Sequence, residues 1–208
     1  MPCSNGARGV GGNLKTKARH YGVSPNCLEV LAASNGTCYL ENDYIWVVDL
    51  KGGINEDVDA VVSFPCSKGY KDSVNGAFSP ALDAFYFATE VGKMYREWYY
   101  YHPLTSPIPR AFVHFGKDLD NALWDGQNLI LGDGGSETFP YSVIDAVSHE
   151  LAHGVTERSS NLEFRKQSGA ISESFSDMAG EAAEVYIKGS NDWVVGGDLL
   201  KKTGDAVR

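Results

Sequence analysis

The stretch Ser148-His149-Glu150-Leu151-Ala152-His153, with Gly169-Ala170-Ile171-Ser172-Glu173-Ser174-Phe175-Ser176-Asp177 following it, decides how this 208-residue sequence is read. The first segment is an H-E-x-x-H pattern. If residues 141–156 are helical, His149 and His153 stand one turn apart on one face, where two imidazoles can grip one small cation. Glu150 points about 100° away around the helix, within reach of a metal-bound water but badly placed as a ligand. That is the position of a general base. Two imidazoles leave a tetrahedral zinc short of a protein ligand, and Glu173 is the candidate third. Asp177, one turn beyond Glu173, is placed to accept the free N–H of a zinc-bound imidazole. Taken alone, two histidines on a helix face are often merely solvated; the second segment shifts the balance to zinc.

These two segments resemble the thermolysin-like family of zinc endopeptidases, and within it the pseudolysin and vibriolysin branch. The resemblance extends through Gly11-Gly12-Asn13, Val74-Asn75-Gly76-Ala77-Phe78-Ser79-Pro80, Asn121-Ala122-Leu123-Trp124-Asp125-Gly126 and Gly132-Asp133-Gly134, and so covers most of the chain. It implies an α+β fold: a β-rich lobe with a long amphipathic helix over residues 1–140, then a zinc- and calcium-binding helical segment over 141–208. The family's C-terminal helical lobe, with its D-x-H-x-x-S-G segment, is expected to be absent. The chain then reads as the front part of a longer peptidase, either active or an inert, partner-completed zinc module.

The acidic residues of the second helix carry a further reading. Glu173, Asp177, Glu181 and Glu184 fall at offsets 0, 4, 8 and 11, within about 80° of one helical face. Like charges one turn apart repel, so such a stripe faces water or cations. If the two helices run antiparallel, Asp145 comes level with Glu181 and Glu184, and with Asp192 these carboxylates suit calcium's six to eight oxygens. The resemblance supports this, since Asp145, Glu181, Glu184, Asp192 and the Val194 carbonyl sit where the pseudolysin branch has calcium ligands. Ser142 and Asp145 also have the S-x-x-D form of a capping box, so Asp145 could be only a helix-start residue.

The resemblance assigns substrate contacts as well. Residues 121–124 match an edge strand along the cleft, where a peptide can add as an extra strand. There Asn121 holds the substrate main chain through its side chain and Ala122 through its carbonyl; Arg208 aligns with an arginine that binds the substrate carbonyl. Phe164 stands where relatives carry a tyrosine whose hydroxyl stabilises the oxyanion, so one donor is expected to be missing.

Composition sets the limits. At 43% hydrophobic and 12% aromatic the chain is globular. A net charge of −9 argues against nucleic acid or an anionic membrane as partner and is compatible with bound divalent cations. No apolar run approaches the ~18 residues of a membrane span, and Met1-Pro2-Cys3-Ser4 begins no signal peptide. Four cysteines without a C-x-x-C pair suggest neither a zinc knuckle nor a redox motif. Cys38 and Cys66 match a disulfide of the pseudolysin branch, which implies an oxidising compartment and a secreted protein. Whether Cys3 and Cys27 form a second bridge stays open.

Along the chain, residues 1–40 read as a loosely structured start with one strand pair. Residues 44–50 and 61–64 are strand candidates. Ser79-Pro80 opens a helix over about 80–100 whose Ala84, Phe87, Ala88, Val91, Met94, Tyr95 and Trp98 make one apolar face. Residues 111–115 form another strand, in which His114 is an ordinary strand residue, since no histidine or carboxylate is spaced to join it. Asp125-Gly126 marks a hairpin between 121–124 and 128–131, and Gly132-Asp133-Gly134-Gly135 a turn.

Overall fold

The computed structural model describes residues 1–4, 6–101 and 104–202. Nine strands and three helices are described. A hairpin of β1 (Gly9–Asn13) and β2 (Lys17–Tyr21) comes first, then a three-stranded sheet of β3 (Leu31–Ala32), β4 (Thr37–Tyr39) and β6 (Ser63–Pro65). Between them in sequence, β5 (Trp46–Asp49) joins β7 (Arg110–Val113), β8 (Ala122–Trp124) and β9 (Leu129–Leu131) in a four-stranded sheet of order β5-β7-β9-β8. The start of the chain is therefore more ordered than its Gly-rich composition suggests. Two disulfides, Cys3–Cys27 and Cys38–Cys66, cross-link it, and the open question of the first pair is settled.

Strand alternation distributes the core to both faces of the main sheet. Val47, Ala111, Val113, Leu129 and Leu131 belong to the large core, while Val48, Phe112 and Ile130 form a small cluster on the opposite face with Leu50, Phe115 and Leu119. Helix α1 (Pro80–Tyr99) buries Leu82, Phe85, Val91 and Met94 in the large core. Ser79 caps it by accepting from the Leu82 N–H, proline occupies the first turn, and Tyr100 ends it in the left-handed region. Buried Asp83 on this helix accepts from Gly12 N–H at 2.7 Å and Tyr21 O–H at 2.5 Å, fastening the first hairpin to it.

Helix α2 (Ile144–Ser159) starts three residues after position 141, where the sequence reading begins it, with Val143 as its N-cap and no side-chain cap. The Ser142–Asp145 capping box does not form, because the Asp145 carboxylate accepts instead from Gly196 N–H at 2.9 Å. Helix α3 (Lys166–Lys188) packs on α2 more extensively than any other pair of elements. The two run antiparallel: the backbone of Asp145 approaches Gly180, Ser148 Oγ donates to Ala179 O, His149 meets Asp177 and His153 meets Ser172.

Candidate metal centre and peptide edge

The close approach of α2 and α3 brings His149, His153 and Glu173 together. The two Nε2 atoms lie 3.1 Å apart, and the Glu173 carboxylate stands 3.2 Å from His149 Nε2 and 3.4 Å from His153 Nε2. Two nitrogens each ~2.0–2.1 Å from a tetrahedral zinc stand ~3.3 Å apart, so this donor set fits the ion in chemistry and spacing. Each imidazole is held from its other nitrogen. His149 Nδ1 donates to Asp177 Oδ1 at 3.0 Å, and a carboxylate can only accept, so the proton is on Nδ1 and the Nε2 lone pair faces the site. His153 Nδ1 meets Ser172 Oγ at 3.2 Å and Ser176 Oγ at 3.4 Å. Burial, reinforced by neighbouring His149, keeps His153 below the ordinary imidazole pKa, hence neutral as a ligand must be. The two serines escaped the sequence argument, although their spacing of one turn on α3, ahead of Glu173 and Asp177, is visible there.

Glu150 is partly buried. Burial pushes its carboxyl up to about 6, against the pull of His149 and of the Trp124 backbone N–H, with Glu173 adding to the rise. The Trp124 contact joins Glu150 to β8, the edge strand of the four-stranded sheet. Ala122 is buried and pairs with Leu131, while Asn121 is exposed just before the strand. The Asn121 carbonyl accepts from Gly132 N–H at 3.0 Å on the side of β9. Trp124 also packs against Gly154, where a Cβ would lie 2.8 Å from its ring, and donates its indole N–H to Glu157 at 2.7 Å.

Phe164 sits edge-on to the His153 ring with centroids 5.6 Å apart. It stands beside the metal ligands and carries no hydroxyl. Arg208 lies outside the described residues.

A second convergence of carboxylates comprises Glu181, Glu184 and Asp192, one oxygen of each within 4.8 Å of the others. Glu181 accepts from Asn191 Nδ2 and Trp193 N–H, and Glu184 receives Lys188 Nζ at 2.5 Å. Asp145 stands next to this group, its carboxyl pushed up to about 7 by burial and then by Glu184. The Val194 carbonyl accepts from Gly197 N–H.

One sequence expectation is overturned. His114 follows β7 with a left-handed backbone (φ 54°) and is buried between two carboxylates, Asp133 at 2.7 Å from Nδ1 and Asp72 at 3.0 Å from Nε2. Burial alone would lower its pKa, but the two hydrogen bonds and charges outweigh it and raise it to about 10. No spacing rule finds this, because 42 residues separate His114 from Asp72.

The model of the thermolysin metallopeptidase catalytic domain matches residues 15–157, and that of the thermolysin metallopeptidase alpha-helical domain matches residues 160–208. The chain belongs to the thermolysin metallopeptidase family. Within this family it is 40% identical over 202 residues to a neutral protease of Vibrio proteolyticus, covering 94% of this chain and 32% of that one. It is 38% identical over 216 residues to the zinc metalloproteinase MspA of Legionella longbeachae, covering 96% and 40%. The fold is shared with a precursor of protealysin, a metalloproteinase from Serratia proteamaculans, at a TM-score of 0.65 and 24% identity over 86% of this chain and 53% of that one. The chain thus spans about a third to two fifths of the length of these two curated relatives. Helices α2 and α3 carry a zinc-binding site of His149, His153 and Glu173. Because the helical-domain model begins at residue 160, α3 is part of that lobe, and the expectation that the helical lobe is absent is corrected to that extent.

Proposed function

We propose that this chain carries the catalytic centre of a secreted zinc endopeptidase that hydrolyses internal peptide bonds of proteins. The observation that carries the reading is the convergence of His149, His153 and Glu173, with Glu150 one residue along α2 from the first ligand. Zinc, when bound there, supplies a Lewis acid and a water acidic enough to be deprotonated near neutral pH. Glu150 would serve beside it as the general base and then the general acid; a carboxyl pushed up to about 6 is close enough to neutrality to hold a proton and release it to the leaving amine. Asp177 fixes the His149 ring, and Ser172 and Ser176 fix that of His153. The free edge of β8 receives the peptide as an added strand, with the Asn121 side chain and Ala122 carbonyl as its partners. Arg208 completes this set by resemblance alone.

Calcium is proposed at Glu181, Glu184 and Asp192, with Asp145 and the Val194 carbonyl, tying the end of α3 to the start of α2. The spacing of the three carboxylates supports it. Lys188 already neutralises part of Glu184 through Oε1, so the ion would share that carboxylate with the ammonium or displace it. Secretion is supported by the two disulfides, which persist in oxidising compartments. No helix among the described residues is long and apolar enough to cross a membrane.

A second reading, a zinc module completed by further polypeptide, has its own support. Ile171, Phe175 and Met178 are exposed at helical spacing on α3, an apolar stripe of the kind that marks a contact surface. One experiment separates the two. The purified chain is incubated with a casein-type substrate, with and without a zinc chelator, beside Glu150→Ala. Cleavage that the chelator abolishes, and that Glu150→Ala loses while keeping about one zinc per chain, supports the peptidase. Zinc binding with no cleavage by the unaltered chain supports the module.

A further inference from the structure

The buried charge cluster around His114 lies outside the zinc site, and its bonds lead to the strand on which the peptide is proposed to dock. Asp72 Oδ2 accepts from His114 Nε2 and from Ala81 N–H at 2.8 Å, and its Oδ1 accepts from Ser79 Oγ, so it is anchored to the first turn of α1. Asp133 accepts from His114 Nδ1 and lies in the loop after β9. That loop grips the chain leading into β8: Gly132 N–H donates to Asn121 O at 3.0 Å and Gly134 N–H to Leu119 O at 3.1 Å. The two backbones are so close that a Cβ on Gly132 would lie 2.1 Å from Leu119 O and 2.8 Å from Asn121 O. The same loop accepts from Tyr141 N–H through Gly132 O, three residues before α2, and its backbone carbonyls at Asp133 and Gly135 receive the Asn75 amide.

We propose that Asp72, His114 and Asp133 form a clamp that positions the peptide-binding edge, His114 acting on Asn121 through Asp133 and the backbone of Gly132 and Gly134. His114 and Asp72 have side chains 9% and 5% exposed, so neither touches substrate; His114 is a positioning residue. Both ring nitrogens face carboxylates, so the imidazole donates twice and holds α1, β7 and the loop in one arrangement. Losing either bond leaves a buried carboxylate short of a donor and lets the loop shift. A shift there moves Asn121 more than it moves His149, His153 and Glu173, because the two imidazoles are held by Asp177, Ser172 and Ser176 of α3.

The inference rests on β8 being the peptide edge, and its test reads the loop separately from turnover. Amide hydrogen exchange and peptide hydrolysis are followed in the zinc-loaded full chain, in His114→Asn, which tolerates the left-handed backbone, and in Asp133→Asn. Exchange at Gly132 and Gly134 should quicken by about tenfold or more while that of α2 stays unchanged. KM should rise about fivefold to tenfold with kcat within about twofold, and Asp133→Glu should recover part of both. Unchanged exchange at the two glycines overturns the clamp. Uniform acceleration across the molecule, or a fall in kcat alone, overturns it equally, since either outcome makes the cluster merely structural. If the unaltered chain shows no hydrolysis, the peptidase reading fails while the exchange comparison still decides the clamp. If His114→Asn fails to fold, Asp133→Asn carries the test, its side chain being 24% exposed.

Discussion

Trp124 on the sheet edge and Glu157 on the zinc helix are joined by a 2.7 Å hydrogen bond from the indole N–H to the carboxylate. The ring lies flat enough on α2 that position 154 has to be glycine: a Cβ there would be 2.8 Å from Trp124 Cζ2. Elsewhere in a helix, Gly→Ala stabilises by roughly 0.5–1 kcal/mol. Overpacking costs roughly 1–3 kcal/mol, so here the sign reverses. Gly154→Ala should lower the melting temperature by several degrees in a thermal scan of the zinc-loaded chain. A melting temperature equal to or above that of the unaltered chain would show that the ring moves aside freely.

The Asp177 contact with His149 predicts a change in metal affinity rather than in fold. Asp177 is 45% exposed, so removing its charge costs little stability. Outer partners of a metal-bound imidazole are worth about 10–100-fold in affinity. Asp177→Asn should therefore release zinc to a competing chelator at ~10–100-fold lower chelator concentration, with the apo melting temperature almost unchanged. Equal zinc retention in the two proteins would remove Asp177 from the ligand support.

His114 gives stability a pH dependence of definite sign. Its folded pKa of about 10 exceeds the ordinary imidazole value of about 6.5. The stabilisation is fully present below about pH 6.5 and is lost progressively as pH rises through about 10. Its full extent is up to ~5 kcal/mol, less the share screened by solvent at Asp133. Other groups titrate near pH 10, so the measurement is the difference between the unaltered chain and His114→Asn. That difference in unfolding free energy should shrink steadily from pH 6.5 to 10. A difference constant with pH would mean that the imidazole is neutral throughout.

What the sequence made legible follows from where the information sits. The zinc ligands were readable because His149 and His153 lie on one helix and Glu173 on the next, so helical periodicity places them. The hairpin at Asp125-Gly126 and the Ser79 cap are likewise local rules, and both appear as β8–β9 and the start of α1. The errors fall where partners are remote in sequence. The capping box at Ser142 fails because Asp145 finds Gly196, 51 residues on. His114 looked like an ordinary strand residue because its carboxylates come from a loop before α1 and a loop after β9, and only the folded sheet brings them to one ring. The early strands were hidden for a different reason: β1 is Gly-Val-Gly-Gly-Asn, poor in β-formers, and it is held by remote polar partners, Asp83 at Gly12 N–H and Asp198 O at the Asn13 amide.

The Phe164 ring, edge-on to His153 at 5.6 Å, allows a gain of function to be predicted rather than a loss. Phe164 is 67% exposed, so a hydroxyl added to the ring costs almost no stability. The family resemblance places an oxyanion-stabilising tyrosine at this position. Removing one such donor typically costs about 10²–10³ in kcat, and adding one by a single substitution should recover only part. Phe164→Tyr should raise kcat for a peptide substrate by about tenfold with KM changed by less than about twofold, because a donor aimed at the developing oxyanion acts on the transition state and not on binding. Steady-state kinetics on the two proteins at equal zinc content decide it. A lower KM with kcat unchanged would mean that the new hydroxyl binds ground-state substrate, and no change in either would place residue 164 away from the reacting carbonyl.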